Sequence, residues 1–119
     1  MESHYPAASN VAALCVYPPF LKTIAKNLTV SGVHVSCVCG NFPSGQTYLN
    51  VKKAECREII NNGTDEIEMV MPVGQFLAGE YEAVEEEIYE IKEIAGSRKL
   101  KVILETELLK TPEDIILAS

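Results

Sequence analysis

The sequence predicts an α/β fold with a parallel sheet, built as one domain over residues 1–119. A short apolar run followed by a helix-like segment recurs four times, which is typical of parallel strands joined by right-handed crossovers. Two architectures satisfy this alternation: an open doubly wound sheet, and an incomplete (β/α)8 barrel of about four consecutive units. Charged side chains inside two of the predicted strands favour the barrel, and we expect residues 1–10 to form a flexible start.

The first strand and helix flank a pair of prolines. Residues 12–17 form an apolar run typical of a short buried strand. Pro18 and Pro19 end that strand and suit the first turn of a helix. The apolar residues that follow recur at helical spacing: Phe20, Leu21, Ile24, Ala25 and Leu28.

The second unit contains a loop that deserves comparison with phosphate-binding loops. A strand is predicted over residues 33–39, and residues 40–45 form a loop by composition. The loop lies between a strand and a helix, where a phosphate can meet helix amides, but it lacks the GxxxxGK[ST] and GxGxxG spacings, so a plain turn is the better prediction. The next helix is expected to end near Gly63, and one of its sides carries Leu49, Cys56 and Ile60.

The third and fourth units complete the pattern. Residues 66–71 predict a strand closed by Pro72, and residues 74–79 predict a turn region. The clearest helical stripe follows, before Gly96, at Val84, Ile88, Ile91 and Ala95. A fourth strand is predicted over residues 101–105, followed by a helix in which Thr111 is the N-cap, Pro112 takes the first turn, and two acids favour the positive end of the dipole.

Charges within the third and fourth strands decide between the two architectures. Glu68 lies in mid-strand, and by the two-residue period Lys101, Ile103 and Glu105 point the same way. Charges on a buried strand are costly unless they are paired. A barrel interior, which both strands face, supplies the partners, whereas an open sheet covered on both faces favours strands that are apolar throughout.

The composition excludes several classes of function. A formal net charge of −7 argues against a general nucleic-acid binder, because neutralising phosphates requires clustered Lys and Arg. It allows one phosphorylated small molecule. No apolar run approaches the roughly 20 residues of a membrane helix, and the start lacks a signal-peptide pattern, so we expect a cytoplasmic protein with no membrane partner.

The cysteines and histidines predict structural roles. Cys15, Cys37 and Cys39 lie in apolar strand-like runs, which indicates buried free thiols. Two thiols on one strand face, without a second Cys or His pair, make a poor metal site. His4 and His34 are isolated, so we expect no metal site.

Three charged residues are candidates for chemistry. Glu68, among apolar neighbours, is either a structural acid, which reaches solvent at a strand end or pairs with Lys101, or a general acid/base near a barrel mouth. Lys101 opens its predicted strand, whereas barrel chemistry occurs at the C-terminal ends, so a supporting ion pair is favoured over a nucleophile. Glu105 lies at the functional end of that strand, where an N-cap or a loop contact is the alternative role.

Four segments, in order and at matching spacing, resemble the deoxyribose-phosphate aldolase family. Residues 11–18 (VAALCVYP) are similar to its second barrel strand, and residues 40–47 (GNFPSGQT) to the loop after its third strand. Residues 63–70 (GTDEIEMV) are similar to its GADEIDMV segment, and residues 100–106 (LKVILET) to its LKVI(L/I)ET strand. The resemblance covers about residues 10–119 and implies strands two to five of a TIM barrel.

The resemblance also implies an activity. The family cleaves 2-deoxy-D-ribose 5-phosphate to acetaldehyde and D-glyceraldehyde 3-phosphate through a lysine Schiff base, without metal or other cofactor, and an aspartate and a second lysine assist proton transfer. Glu68 stands in the place of that aspartate, and Lys101 matches a lysine inside the family's barrel. Cys15 matches a cysteine near the family's active site, and with Glu105 it is expected to line the substrate pocket.

Departures from the family pattern lower the activity expected of these residues alone. The Schiff-base lysine belongs to a KTSTG-type segment that the sequence does not contain, and the second lysine and the Gly/Ser phosphate loops are also missing. The family's first strand would precede Met1, and Glu107 stands where the family usually has Gly. The 119 residues are therefore expected to be inactive alone. The alternative is a non-catalytic half-barrel that self-associates or pairs with a partner chain through its exposed sheet edges.

Overall fold

The computed structural model describes residues 10–119. The expected flexible start and His4 lie outside the described residues, except for Asn10. One parallel sheet runs through the described part, with strands in the order β1-β2-β3-β4. The strands are β1 Ala13–Val16, β2 His34–Cys39, β3 Glu66–Val70 and β4 Lys99–Ile103.

Five α-helices connect and follow these strands in residues 10–119. Their bounds are α1 Leu21–Asn27, α2 Leu49–Asn61, α3 Val73–Leu77, α4 Tyr81–Ala95 and α5 Pro112–Ala118. A 3-10 turn over Pro18–Phe20 precedes α1, as the proline pair predicts. No helix in this part of the chain is long and apolar enough to cross a membrane.

The strand order confirms the barrel-type architecture. Each strand pairs with the next one in sequence, so the order never reverses as it does at the switch point of a doubly wound sheet. Helices cover one face of the sheet, where buried β2 and β3 residues pack against α1, α2 and α4. That core contains Leu21, Cys37, Cys39, Cys56, Ile59, Ile67, Met69, Ile91 and Ala95. The other face has no helical layer in residues 10–119, and we call it the open face.

A second apolar cluster joins the C-terminal end of the sheet to α3 and α4. It consists of Met71, Val73, Phe76, Val84 and Leu109, all buried. The prediction of a turn over residues 74–79 is therefore wrong in part, because residues 73–77 form helix α3. Burial of Val73 and Phe76 stabilises this single helical turn, although Gly74 disfavours helix locally.

The fourth strand is displaced from its predicted position. It begins at Lys99, so Lys101 is its third residue rather than its first, and it ends at Ile103, before Glu105. Glu105 has a φ of +54°, a left-handed conformation that takes its backbone out of the strand direction. The helix start after this loop is confirmed, since the Asp114 N–H donates to Thr111 Oγ1 at 3.1 Å.

A buried ion pair that the sequence pattern does not reveal joins α2 to α4. Lys52 Nζ lies 2.5 Å from Glu87 Oε1, and the two side chains are 1% and 7% exposed. Lys53 and Glu90 form a second ion pair between the same helices, with both side chains more exposed. These pairs set how the two longest helices dock over the sheet.

Candidate active site on the open face

An ion pair between β3 and β4 forms the centre of the open face. Glu68 and Lys101 are direct partners in the parallel ladder, so their side chains emerge side by side. Lys101 Nζ lies 2.7 Å from Glu68 Oε1. The two-residue period of the strands thus brings together the two residues that the sequence singles out, and the salt bridge offered as a structural role for Glu68 is present.

Two further side chains extend this centre towards β1. Ser36, directly opposite Cys15 in the sheet, donates from Oγ to Glu68 Oε1 at 3.1 Å. The pKa of the Cys15 thiol is raised by its partial burial and by the negative charge of Glu68. Glu68 Oε1 therefore accepts from both Ser36 and Lys101, and the Cys15 thiol is a third hydrogen-bond partner of the same carboxylate.

The cysteine prediction is correct for the helix-covered face and wrong for the open face. Cys37, Cys39 and Cys56 are buried and free, and burial raises the pKa of Cys37 to about 12. Cys15 is exposed, because it points to the open face from the edge strand β1. It is the one cysteine here that a small molecule on the open face can reach.

The ion pair holds both partners in their charged forms. The Lys101 hydrogen bond is the main cause that lowers the pKa of Glu68, and partial burial opposes it. The same hydrogen bond raises the pKa of Lys101, against a smaller effect of desolvation. At neutral pH the site thus presents a carboxylate that can accept a proton and an ammonium that cannot act as a nucleophile.

Glu66 completes the cluster, and sequence reasoning missed it. Its side chain, 8% exposed, lies within ion-pair distance of Lys101 Nζ (3.1 Å), His34 Nδ1 (3.3 Å) and Lys99 Nζ (3.6 Å). Hydrogen bonds from Lys101 and His34 lower the pKa of Glu66. The two-residue period of the strand could have identified Glu66, because it precedes Glu68 by two residues and so shares its face. Because β4 was predicted to begin at Lys101, Lys99 was not expected to lie in the strand.

Glu105 lies apart from this cluster, at the C-terminal ends of the strands. It lines a cavity of about 630 Å³ together with Val70, Lys52 and the loop after β2. Within residues 10–119 no hydrogen bond or ion pair joins its side chain to Glu68 or Lys101. The sequence thus locates Glu105 correctly at this end of the sheet, but the structure does not bring it into the charged centre.

The loop after β2 is held by its own hydrogen bonds. Asn41, at a φ of +60°, donates its N–H to Glu55 Oε2 at 3.0 Å and its side-chain amide to Ser44 and Gln46. The Gly45 and Gln46 N–H groups also bond within the loop. Amides that are already paired are poor phosphate ligands, which favours the plain turn. Residues 10–119 contain no group of three His, Cys, Asp or Glu side chains placed to hold a metal ion.

Comparison with known proteins adds a family match. A model described as "DeoC/LacD family aldolase" matches residues 4–115. The deoxyribose-phosphate aldolase of Streptococcus gordonii is 39% identical over 105 residues, which cover 88% of this chain and 47% of that protein. The one from Metamycoplasma arthritidis is 44% identical over 101 residues, 85% of this chain and 46% of that protein. The chain spans about half the length of the curated relatives it matches.

Solved structures agree with the sequence relatives. A provisionally assigned deoxyribose-phosphate aldolase from Coccidioides immitis superimposes with a TM-score of 0.80 at 31% identity, covering 90% of this chain and 41% of that one. The aldolase QR15 superimposes with a TM-score of 0.75 at 33% identity, covering 92% of this chain and 51% of that one. The four-stranded sheet thus corresponds to about half of a TIM-barrel aldolase.

Proposed function

The chain belongs to the DeoC/LacD aldolase family, and we propose that it supplies the proton-transfer side of a site that cleaves 2-deoxy-D-ribose 5-phosphate. The products are acetaldehyde and D-glyceraldehyde 3-phosphate. One observation carries the proposal: Glu68, in the place of the family's catalytic aspartate, is held as a carboxylate on the open face by Lys101. That face corresponds to the barrel interior of the similar structures.

Glu68 acts as the proton carrier. Its carboxylate is anchored through Oε1 by Ser36 and Lys101, and Cys15 also hydrogen-bonds to it. A carboxylate fixed by neighbouring donors keeps its orientation and can accept a substrate proton. Cys15 lies beside it on β1, where it can contact a substrate, and Glu105 lines the cavity at the C-terminal edge of the strands.

Lys101 supports this carboxylate and does not form the Schiff base. A Schiff-base lysine attacks as a neutral amine, whereas the hydrogen bonds from Lys101 to Glu68 and Glu66 raise its pKa. The family's nucleophilic lysine belongs to a KTSTG-type segment, and no such run occurs in these 119 residues. We therefore expect the 119-residue polypeptide alone not to cleave the sugar phosphate, and we expect no metal requirement when the site is complete.

A segment exchange tests the proposal. Residues 10–119 replace the matching segment of the Streptococcus gordonii relative, and cleavage is followed as release of acetaldehyde. We expect an active chimera, a Glu68→Gln chimera that loses most activity, and an unaffected Glu86→Gln control, since Glu86 is exposed on α4. A folded chimera that does not cleave the sugar phosphate, or whose activity survives Glu68→Gln, contradicts the proposal.

A second candidate is a non-catalytic half-barrel that self-associates. The outer edges of β1 and β4 have no strand partner among residues 10–119, and unpaired edges are templates for pairing with another chain. Two copies related by a two-fold axis along the barrel would place β4 of one beside β1 of the other, which gives the eight strands of a closed barrel. Sedimentation equilibrium of the 119-residue chain tests it: a discrete dimer favours it, and a stable monomer counts against it.

A further inference from the structure

Glu66 and Glu68 compete for one ammonium group. Lys101 Nζ lies 2.7 Å from Glu68 Oε1 and 3.1 Å from Glu66 Oε2, so its positive charge is divided between two carboxylates. The register explains this arrangement, because Lys101 is opposite Glu68 while its long side chain also reaches the row of Glu66 and Lys99. Nothing in the proposed reaction uses Glu66, although it is the more buried of the two acids.

Glu66 itself is fixed from two other sides. His34 on β2 and Lys99 on β4 flank it, at 3.3 Å and 3.6 Å from Oε1. Because its Oε1 faces these two groups, its Oε2 remains directed at Lys101. An acid held in this way gives the Lys101 ammonium a second carboxylate partner beside Glu68.

Sharing of the Lys101 ammonium between Glu66 and Glu68 affects proton transfer by Glu68. A carboxylate that had the Lys101 ammonium to itself would be a weaker base, since an adjacent positive charge favours the ionised form. General acid–base catalysis is most efficient when the group can both take up and release a proton near the working pH. We propose that Glu66 is a positioning residue, which shares the Lys101 ammonium with Glu68 and thereby keeps Glu68 able to accept a proton. This inference rests on the proposed role of Glu68.

The groups that face Glu68 define the test. They come from every strand of the sheet and are Cys15 on β1, Ser36 on β2, Glu66 on β3 and Lys101 on β4, with His34 and Lys99 behind Glu66. The 119-residue chain, labelled with 13C at the Glu side-chain carboxyl, is titrated by NMR, and Glu68→Gln assigns the Glu68 signal. Circular dichroism checks that each variant is folded.

If Glu66 shares the Lys101 ammonium with Glu68, the direction of the pKa change of Glu68 can be predicted for each variant. Glu66→Gln lowers the pKa of Glu68, because Lys101 then forms its ion pair with Glu68 alone. Glu66→Asp lowers it as well, since the charge is kept but the carboxylate retracts by one methylene. In the Lys101→Met background, Glu66→Gln lowers it by less. The matched control Glu86→Gln, which also removes one acid, leaves it unchanged.

The opposite results overturn the inference. An unchanged or raised pKa of Glu68 in Glu66→Gln means that the ammonium is not shared. An equal fall with and without Lys101 means that the two carboxylates only repel each other directly. If Glu66→Gln does not fold, Glu66→Asp is titrated with and without Lys101→Met, and an equal fall in both backgrounds overturns the inference. The titration does not depend on aldol cleavage, so an inactive chimera refutes the proposed function without deciding this inference.

Discussion

Replacing Lys52 by Met tests how a buried ion pair contributes to this fold. At 2.5 Å, the attraction between Lys52 and Glu87 amounts to about 7 kcal/mol if the effective dielectric constant is about 20. Desolvating the two ions costs several kcal/mol each, so the net contribution of the pair is small. Lys52→Met removes the attraction but leaves the Glu87 carboxylate buried and unpaired. We expect a loss of about 3–5 kcal/mol in the free energy of unfolding, against a total of about 5–15 kcal/mol for an ordinary domain.

The assay is urea unfolding followed by circular dichroism, with two companion variants. Combining Lys52→Met with Glu87→Leu removes both charges, so we expect the double variant to be nearly as stable as the unchanged chain. Lys53→Met is the matched control: it breaks the more exposed Lys53–Glu90 pair between the same helices and should cost about 1 kcal/mol or less. The reasoning is refuted if Lys52→Met costs no more than Lys53→Met, or if the double variant loses as much as both single changes together.

Three further outcomes follow from the open face. In the chimera described above, Glu68→Asp restores the family's shorter side chain and should raise the cleavage rate by up to about a hundredfold, because a shift near 1 Å at a reacting group can cost that much; an unchanged or lower rate argues that the site has adapted to Glu. Borohydride added to the 119-residue chain with 2-deoxy-D-ribose 5-phosphate should leave no covalent adduct in mass spectra, and an adduct on Lys101 would show that Lys101 is a nucleophile. Because the pKa of Glu68 is lowered in the folded state, its stabilising contribution is complete above its ordinary value of 4.5 and is lost as the pH falls through the folded value. The difference in unfolding free energy between the unchanged chain and Glu68→Gln should thus shrink as the pH falls below the ordinary value of 4.5, and a difference that does not shrink contradicts the assigned pKa direction.

Elements with a strong local pattern were predictable, and weakly patterned ones were not. Helix α4 was evident from four apolar residues at helical spacing, and the start of α5 from Thr111 and Pro112. Helix α3 was missed because it has only five residues and contains Gly74, so packing against α4 decides its conformation. The start of β4 was misplaced because Lys99 lies close after the helix end at Gly96, and its charge is tolerated in the strand because its side chain is exposed and pairs with Glu66.

The candidate site divides in the same way. The pairing of Glu68 with Lys101 could be inferred because both are charges in mid-sheet positions of neighbouring strands, and a buried charge needs a partner. The period of two could place Glu66 on the same face, but the sharing of Lys101 could not be inferred, because it depends on the ladder register and on the reach of the Lys101 side chain. The exposure of Cys15 could not either, because an apolar strand does not reveal which of its residues face away from the helices.

The sequence by itself determined the α/β class, the order of the four units, the resemblance to the aldolase family and the identity of the central acid and its lysine. Local periodicity and turn chemistry carry that information, because they depend on residues a few positions apart. The tertiary structure alone decided the ladder register, the placement of His34, Lys99 and Lys101 around Glu66, and the buried contact between Lys52 and Glu87, 35 residues along the chain. These features depend on distances between segments remote in sequence, and such distances arise only when the strands align and the helices dock on the sheet.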